Sequence, residues 1–384
     1  MSDCLLCGDK TVKKDGVLTR QQMTKQGMRN RLVQMYRCAK GHQFSKHDID
    51  AFTPSFIEHV VYTYLRCLSL NTTVDIIRET FERDVLSKRQ VLDFIVIVAD
   101  ALPTPMGFTL LYHPKRSGYI AFDGVWFNYQ GGQIVLMVAF DPVTFDIMAA
   151  LWSSEENGIG YLDLMDRIIP DLPIGSWRGI YGDGDRGLLH AWKERVPNVP
   201  FQLCVVHKEI RMGQLVPVKS VARSHKMSEA RKTEITDFQH HFQACLYGES
   251  KKECYLSLKR LKEYVDSYPN PAFKQSYNSL KHNFAMTLTH FDHLGMERDN
   301  NILECFNGCL KPRLKLMRGF KKADNLDRYL NLFLLEYRFR PLRESRFKER
   351  RGKSPLQLAG VILEHPYNFL TYLRENLHLT YKFA

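Results

Sequence analysis

The chain has 384 residues, 44% of them hydrophobic, which is enough for several buried cores and excludes a disordered or low-complexity protein. Lys and Arg outnumber Asp and Glu by 54 to 42, and Lys311 to Lys353 alone holds fifteen basic and five acidic residues, the kind of surplus that attracts polyanions. Nine cysteines, an odd number in a long apolar chain, exclude a disulfide framework, and neither a signal peptide nor an 18-residue apolar run is read. The expected setting is a reducing cytoplasm, with no membrane involvement.

In chain order, residues 1–50 carry Cys4, Cys7, Cys38 and His42. Two cysteine-containing pairs about thirty residues apart have the two-knuckle form of a zinc ribbon, with His47 as a substitute fourth ligand. Residues 51–112 follow with helical periodicity: Ile57, Val60, Val61, Tyr64, Leu65 and Leu68 share one face, and a second helix is predicted from Thr73 to Phe81. A third begins at Ser87, whose spacing to Gln90 matches a capping box, and Pro103 and Pro105 end it. Three such helices fit a helix-turn-helix, with Lys88, Arg89 and Gln90 on the exposed early turns where a recognition helix meets base edges. A plain three-helix packing module is the alternative.

From Tyr119 the pattern changes to strands. Segments 119–122, 133–140 and 144–152 are separated by turn residues and predict an antiparallel meander. A helix over 159–169, a strand ending at Tyr181, a helix over 186–195 and a strand over 201–205 complete the order of a mixed α/β sheet. Residues 209–295 read as a helical insertion. A helix resumes at Asn300, to be halted or kinked by Pro312, and a later one buries Leu326, Tyr329, Leu330, Phe333, Leu334 and Tyr337.

Three acids stand out. Asp123 is read as ending the first strand of the meander with Gly124 behind it, and Asp183 as ending the fourth strand. If those strands are neighbours, both carboxylates enter one crevice. Glu304 shares a helix face with Asn301, Gly308 and Lys311. Carboxylates gathered from separate elements can hold the two divalent ions that phosphodiester chemistry uses. Singly, an Asp after a strand is a turn or a helix cap: Asp185 is assigned as the N-cap of the next helix, and Asp141 to its turn.

The runs Gly179 to His207 (GIYGDGDRGLLHAWKERVPNVPFQLCVVH) and Asp299 to Lys315 (DNNILECFNGCLKPRLK) resemble the second-Asp and Glu motifs of DDE insertion-sequence transposases related to the Mutator-like superfamily. The resemblance covers about 113 to 340. It implies an RNase H-like core in two parts, 113–208 and 296–340, interrupted by the α-helical insertion at 209–295; beyond it, 341–384 is expected to be a basic helical tail. The fold class expected is thus multidomain α/β, with an N-terminal zinc ribbon and helix-turn-helix. The resemblance makes Asp123, Asp183 and Glu304 the catalytic triad holding two Mg2+ or Mn2+ ions, and Cys204 with His207 an accompanying motif pair. It also implies double-stranded DNA partners (element ends and target), action as a homodimer or larger assembly, and a prokaryotic, nucleoid-associated location. Lys311, Arg313, Lys315 and Arg318 are the expected phosphate contacts.

Overall fold

A computed structural model describes residues 4, 9–24, 27–45, 54–66, 69–81, 86–316, 323–343, 345, 347–363 and 368–381. The chain forms two compact units, one made of Arg116–Asn128 with Gly132–Lys311, the other of the flanking segments.

The flanking unit begins with a three-stranded antiparallel sheet, β1 (Val12–Thr24), β2 (Gly27–Cys38) and β3 (Gln43–Ser45), in that order. The length of this hairpin is not signalled by apolar alternation, because the segment is mostly polar. Helices α1 (Pro54–Arg66), α2 (Leu70–Phe81) and α3 (Lys88–Ala101) pack on one another. The capping box at Ser87 forms as expected, Ser87 Oγ accepting from Gln90 N and Gln90 Oε1 from Ser87 N. After Leu102 a new helix, α4 (Pro105–Tyr112), starts behind the N-cap Thr104. Lys88–Tyr112 is long and apolar enough on average to pass as a membrane span by length and composition, but it is two helices, and Val91, Phe94, Ile95, Val98 and Phe108 are buried in protein.

In the other unit, β4 (Tyr119–Tyr129), β5 (Gly132–Asp141), β6 (Asp146–Ser153), β7 (Gly179–Gly182) and β8 (Phe201–Leu203) form one mixed sheet of order β6-β5-β4-β7-β8. β5 and β6 are antiparallel, whereas β4, β7 and β8 run parallel. The parallel pairs are linked by α5 (Gly158–Ile168) and α6 (Arg186–Arg195), whose Tyr161, Leu164, Met165, Leu188 and Ala191 bury against Ile120, Phe122, Val135 and Met137. Asp141 holds the turn assigned to it, accepting from Val143 N, Thr144 N and Ser117. Arg116 lies buried between Asp146 and Asp171, an ion triad at the base of the sheet.

After β8 come α7 (Val205–Leu215), α8 (Glu229–Tyr247), α9 (Lys251–Ser267) and α10 (Pro271–Lys281), a helical body around Phe238, Phe242, Leu261, Phe273 and Leu280. Its composition therefore reads correctly as helical. The chain then enters α11 (Asn301–Leu316), which passes through Pro312 instead of stopping there. Pro312 forfeits only the hydrogen bond to the Gly308 carbonyl, and burial of Leu310 and Leu314 on either side keeps the helix going. The last long helices are α12 (Ala323–Phe339), buried on almost every side, and α13 (Phe369–Tyr381).

Candidate active site and metal centres

β4 and β7 are neighbours in parallel register, Tyr119, Ile120 and Ala121 opposite Gly179, Ile180 and Tyr181. The register ends two residues before Asp123 and Asp183, so both carboxylates emerge at the same edge of the sheet. Asp183 follows the last residue of β7 and accepts from the backbone N–H of Asp185 at 2.8 Å. Asp185 caps α6 as expected, through Gly187 N and Leu188 N.

Asp123 departs from the sequence reading: it lies inside β4, which continues to Tyr129 with Val125 and Phe127 buried. Gly124 suggested a strand end, but its reason is a close approach. A Cβ there would lie less than 3 Å from the carboxylate of Glu156. Asp123 is 9% exposed. Its Oδ1 accepts from Gly124 N at 3.0 Å and its Oδ2 from Asn307 Nδ2 at 2.6 Å. Burial, then the charges of Asp183 and Glu304, push its pKa up to about 7 despite those two hydrogen bonds.

The group that closes around these acids differs in one member from the expected three carboxylates. Ligand atoms of Asp123, Asp183 and His207 lie within 4.8 Å of one another. Glu304, 38% exposed at its side chain, has its Oε1 3.8 Å from His207 Nε2. His207 arrives there because the helix after β8 starts at once: Cys204 is the N-cap and His207 falls in the first turn of α7. The Cys204 thiol is buried and accepts from Asn300 N at 3.3 Å, which ties the start of α7 to the approach of α11. Burial pulls the His207 pKa down, yet Cys204, Asp183 and Glu304 together raise it above the ordinary value.

The surroundings fit a divalent cation. Two carboxylates and an imidazole are a donor set for Mg2+ or, with the nitrogen included, Mn2+. Among the described residues the buried Asn300 Oδ1 and Asn307 Oδ1 have no hydrogen-bond partner, as expected where ions and their waters complete a site. Asn307 and Glu156 were missed by sequence reasoning. Asn307 was visible in principle, since it follows Glu304 by three residues and shares its helix face. Glu156 acts across a loop and left no local signal.

The other predicted residues fall as follows. Lys311 Nζ is 3.9 Å from Glu304 Oε2, and Lys315 is exposed. Arg313, expected at a phosphate face, is instead 7% exposed with its guanidinium 5.2 Å over the Phe333 ring, because that side of α11 packs on α12. Arg318 lies outside the described residues. Lys88 and Arg89 are exposed at the start of α3, Arg89 pairing with Asp93, whereas the Gln90 side chain is engaged in the cap. Two tryptophans lie close to the aspartates in sequence: Trp177 is core, its indole N–H donating to Leu172 O, but Trp126 is 46% exposed.

At the N-terminus, Cys4, Cys38 and His42 converge, His42 Nδ1 lying 3.9 Å from Cys4 Sγ and 3.5 Å from Cys38 Sγ. Gly41 supplies the positive φ of 85° that the turn between Cys38 and His42 needs. Asp9 ties the two halves together: its carbonyl accepts from Cys4 N and its carboxylate from Thr11 N and Ala39 N. Two thiols and an imidazole on such turns fit zinc, with one position left for a fourth ligand. Cys7 and His47, the residues expected to supply it, lie outside the described residues.

No family model matches the chain, and no curated protein matches it. Among solved structures it is similar, at 9% identity and a TM-score of 0.21, to a chain of the simian T-cell lymphotropic virus intasome in complex with PP2A regulatory subunit B56 gamma. The alignment covers 59% of this chain and 64% of that one. At that score the likeness says nothing about activity.

Proposed function

We propose that the chain is a metal-dependent DNA transposase, cleaving DNA strands at element ends and joining them to target DNA. The observation that carries this reading is the gathering of Asp123, Asp183 and His207 within 4.8 Å, with Glu304 3.8 Å from the imidazole, just past the paired stretch of β4 and β7. Two divalent ions bound there would supply the Lewis-acid stabilisation of an in-line phosphoryl displacement.

The chain's own residues hold and orient. Asp123 and Asp183 would be the carboxylates that hold the ions, and Asn307, donating to Asp123 Oδ2, fixes the Asp123 rotamer. His207 closes the group between the two aspartates and Glu304, and Cys204 anchors the turn that presents it. Lys311 and Lys315 would neutralise strand phosphates. The N-terminal unit supplies recognition: zinc on Cys4, Cys38, His42 and a fourth ligand, and a helix-turn-helix reading bases with Lys88 and Arg89. Joining two ends calls for two or more copies on the DNA.

The test is strand transfer on end-containing DNA with Mg2+ or Mn2+, comparing the wild type with Asp123→Asn, Asp183→Asn and Glu304→Gln. Each variant is expected to lose at least a hundredfold in cleavage and joining while remaining folded. Cleavage without joined products would reduce the reading to a nuclease. Near-normal activity in any of the three variants would remove that residue from the proposed site, and a wild type without activity would leave a DNA-binding protein with a silent core.

A further inference from the structure

Glu156 is a carboxylate that the proposed chemistry does not use. It lies in the loop between β6 and α5 and reaches across to β4, where Gly124 leaves it space that any Cβ would fill. Its two oxygens are spoken for: Oε1 accepts from Tyr161 OH at 2.5 Å and Oε2 from the indole N–H of Trp126 at 2.8 Å. Asp185 and Asp183 are close enough to raise its pKa further, after the larger effect of burial, so the cluster adjoins the acidic edge of the sheet.

Trp126 itself is three residues beyond Asp123 on the same strand, and nearly half its surface is open. Its single polar atom is held by an internal carboxylate, and that carboxylate is held by a buried tyrosine. An exposed indole with no such tether would be free to rotate about its side-chain torsions. Here it is fixed with a ring surface left available.

We propose that Glu156 is a positioning residue that holds the Trp126 indole as a stacking platform for an unpaired base of the DNA strand entering the Asp123–Asp183 site. This rests on the DNA-processing reading above. Aromatic side chains stack on every base, so the platform is indifferent to sequence, and its removal weakens binding of an unpaired strand by roughly ten- to a hundredfold. Tyr161 completes the tether from α5, and Gly124 is the residue that permits it.

The experiment is a binding titration, by anisotropy of labelled DNA without divalent ions, of a blunt duplex and the same duplex carrying a single-stranded tail. Trp126→Ala and Glu156→Ala are expected to weaken the tailed duplex about tenfold or more and leave the blunt one within threefold. Trp126→Phe, which keeps a ring, and Glu156→Gln, which keeps an acceptor for the indole N–H, are expected to retain most of the affinity. In cleavage assays on tailed DNA the alanine variants should raise KM with kcat within threefold, and thermal melting should report intact folding. The proposal is overturned if the tailed-to-blunt affinity ratio is the same in Trp126→Ala and wild type, or if Glu156→Gln behaves as Glu156→Ala. A wild-type protein that cleaves no DNA yet shows the Trp126-dependent preference would sink the enzymatic reading and leave the platform standing.

Discussion

The replacement Asp123→Asn tests the electrostatics of the site through stability alone. In the metal-free protein this carboxyl is raised from 3.8 to about 7 by burial and by Asp183 and Glu304. Holding it ionised therefore costs about 4 kcal/mol, at 1.36 kcal/mol per pH unit. Because the folded protein binds this proton more tightly than the unfolded chain, the contribution is fully present below pH 3.8 and is lost as pH rises through about 7. An amide of the same shape carries no charge to penalise. It also finds a partner, since the Asn307 Oδ1 is buried without one and can accept after a flip of that amide. In EDTA at pH 8 the variant should melt higher than the wild type by on the order of 8 °C, taking about 2 °C per kcal/mol. The difference should shrink towards zero at pH 4, where both side chains are neutral. Millimolar Mg2+ or Mn2+ should raise the wild-type Tm at pH 8 and leave the variant nearly unmoved. Differential scanning fluorimetry across pH reads all of this, and a variant that melts lower than wild type at pH 8, or a gap independent of pH, would refute the reasoning.

Three further outcomes are expected. Asn307→Leu removes the donor to Asp123 Oδ2, leaves that oxygen unsatisfied at a cost of about 1–3 kcal/mol, and should shift the pH dependence of divalent-ion binding upward, as measured by calorimetry at several pH values. Cys38→Ser should lower the zinc content of purified protein, read by elemental analysis, and raise the susceptibility of the N-terminal hairpin to protease, while mild chelation of the wild type should do the same. Arg116→Ala strands the buried Asp146 and Asp171 and should cost about 3–5 kcal/mol in denaturant unfolding; a loss under 1 kcal/mol would mean that the triad is not a structural tie.

The parts of this site that are legible in the sequence are those fixed by local chemistry. Asp185, standing where the next helix starts, reads as its cap, and this leaves Asp183 as the acid at the strand end. Ser87 and Gln90 declare the start of α3 in the same way. What escapes is set by contacts between distant segments. Gly124 looks like a strand breaker because the Glu156 carboxylate that explains it is 32 residues away in sequence. Arg313 reads as a solvent-facing cation because nothing in its own helix announces the aromatic side of α12. The place of His207 depended on a one-residue question, whether the chain after Leu203 continues as a strand or turns at once into helix. A strand would have left the ring's direction to alternate with its neighbours; a helix start turns it toward the acids.

That helix start has a structural corollary. The inward side chains of α7, Val205 and Met212, belong to the core of the helical body that follows, while His207 on the same element belongs to the acidic edge of the sheet. The helical body is thus not separable from the acidic group, for excising it would take the mount of His207 with it, and any tilt of that body would be felt as a rotation of one imidazole.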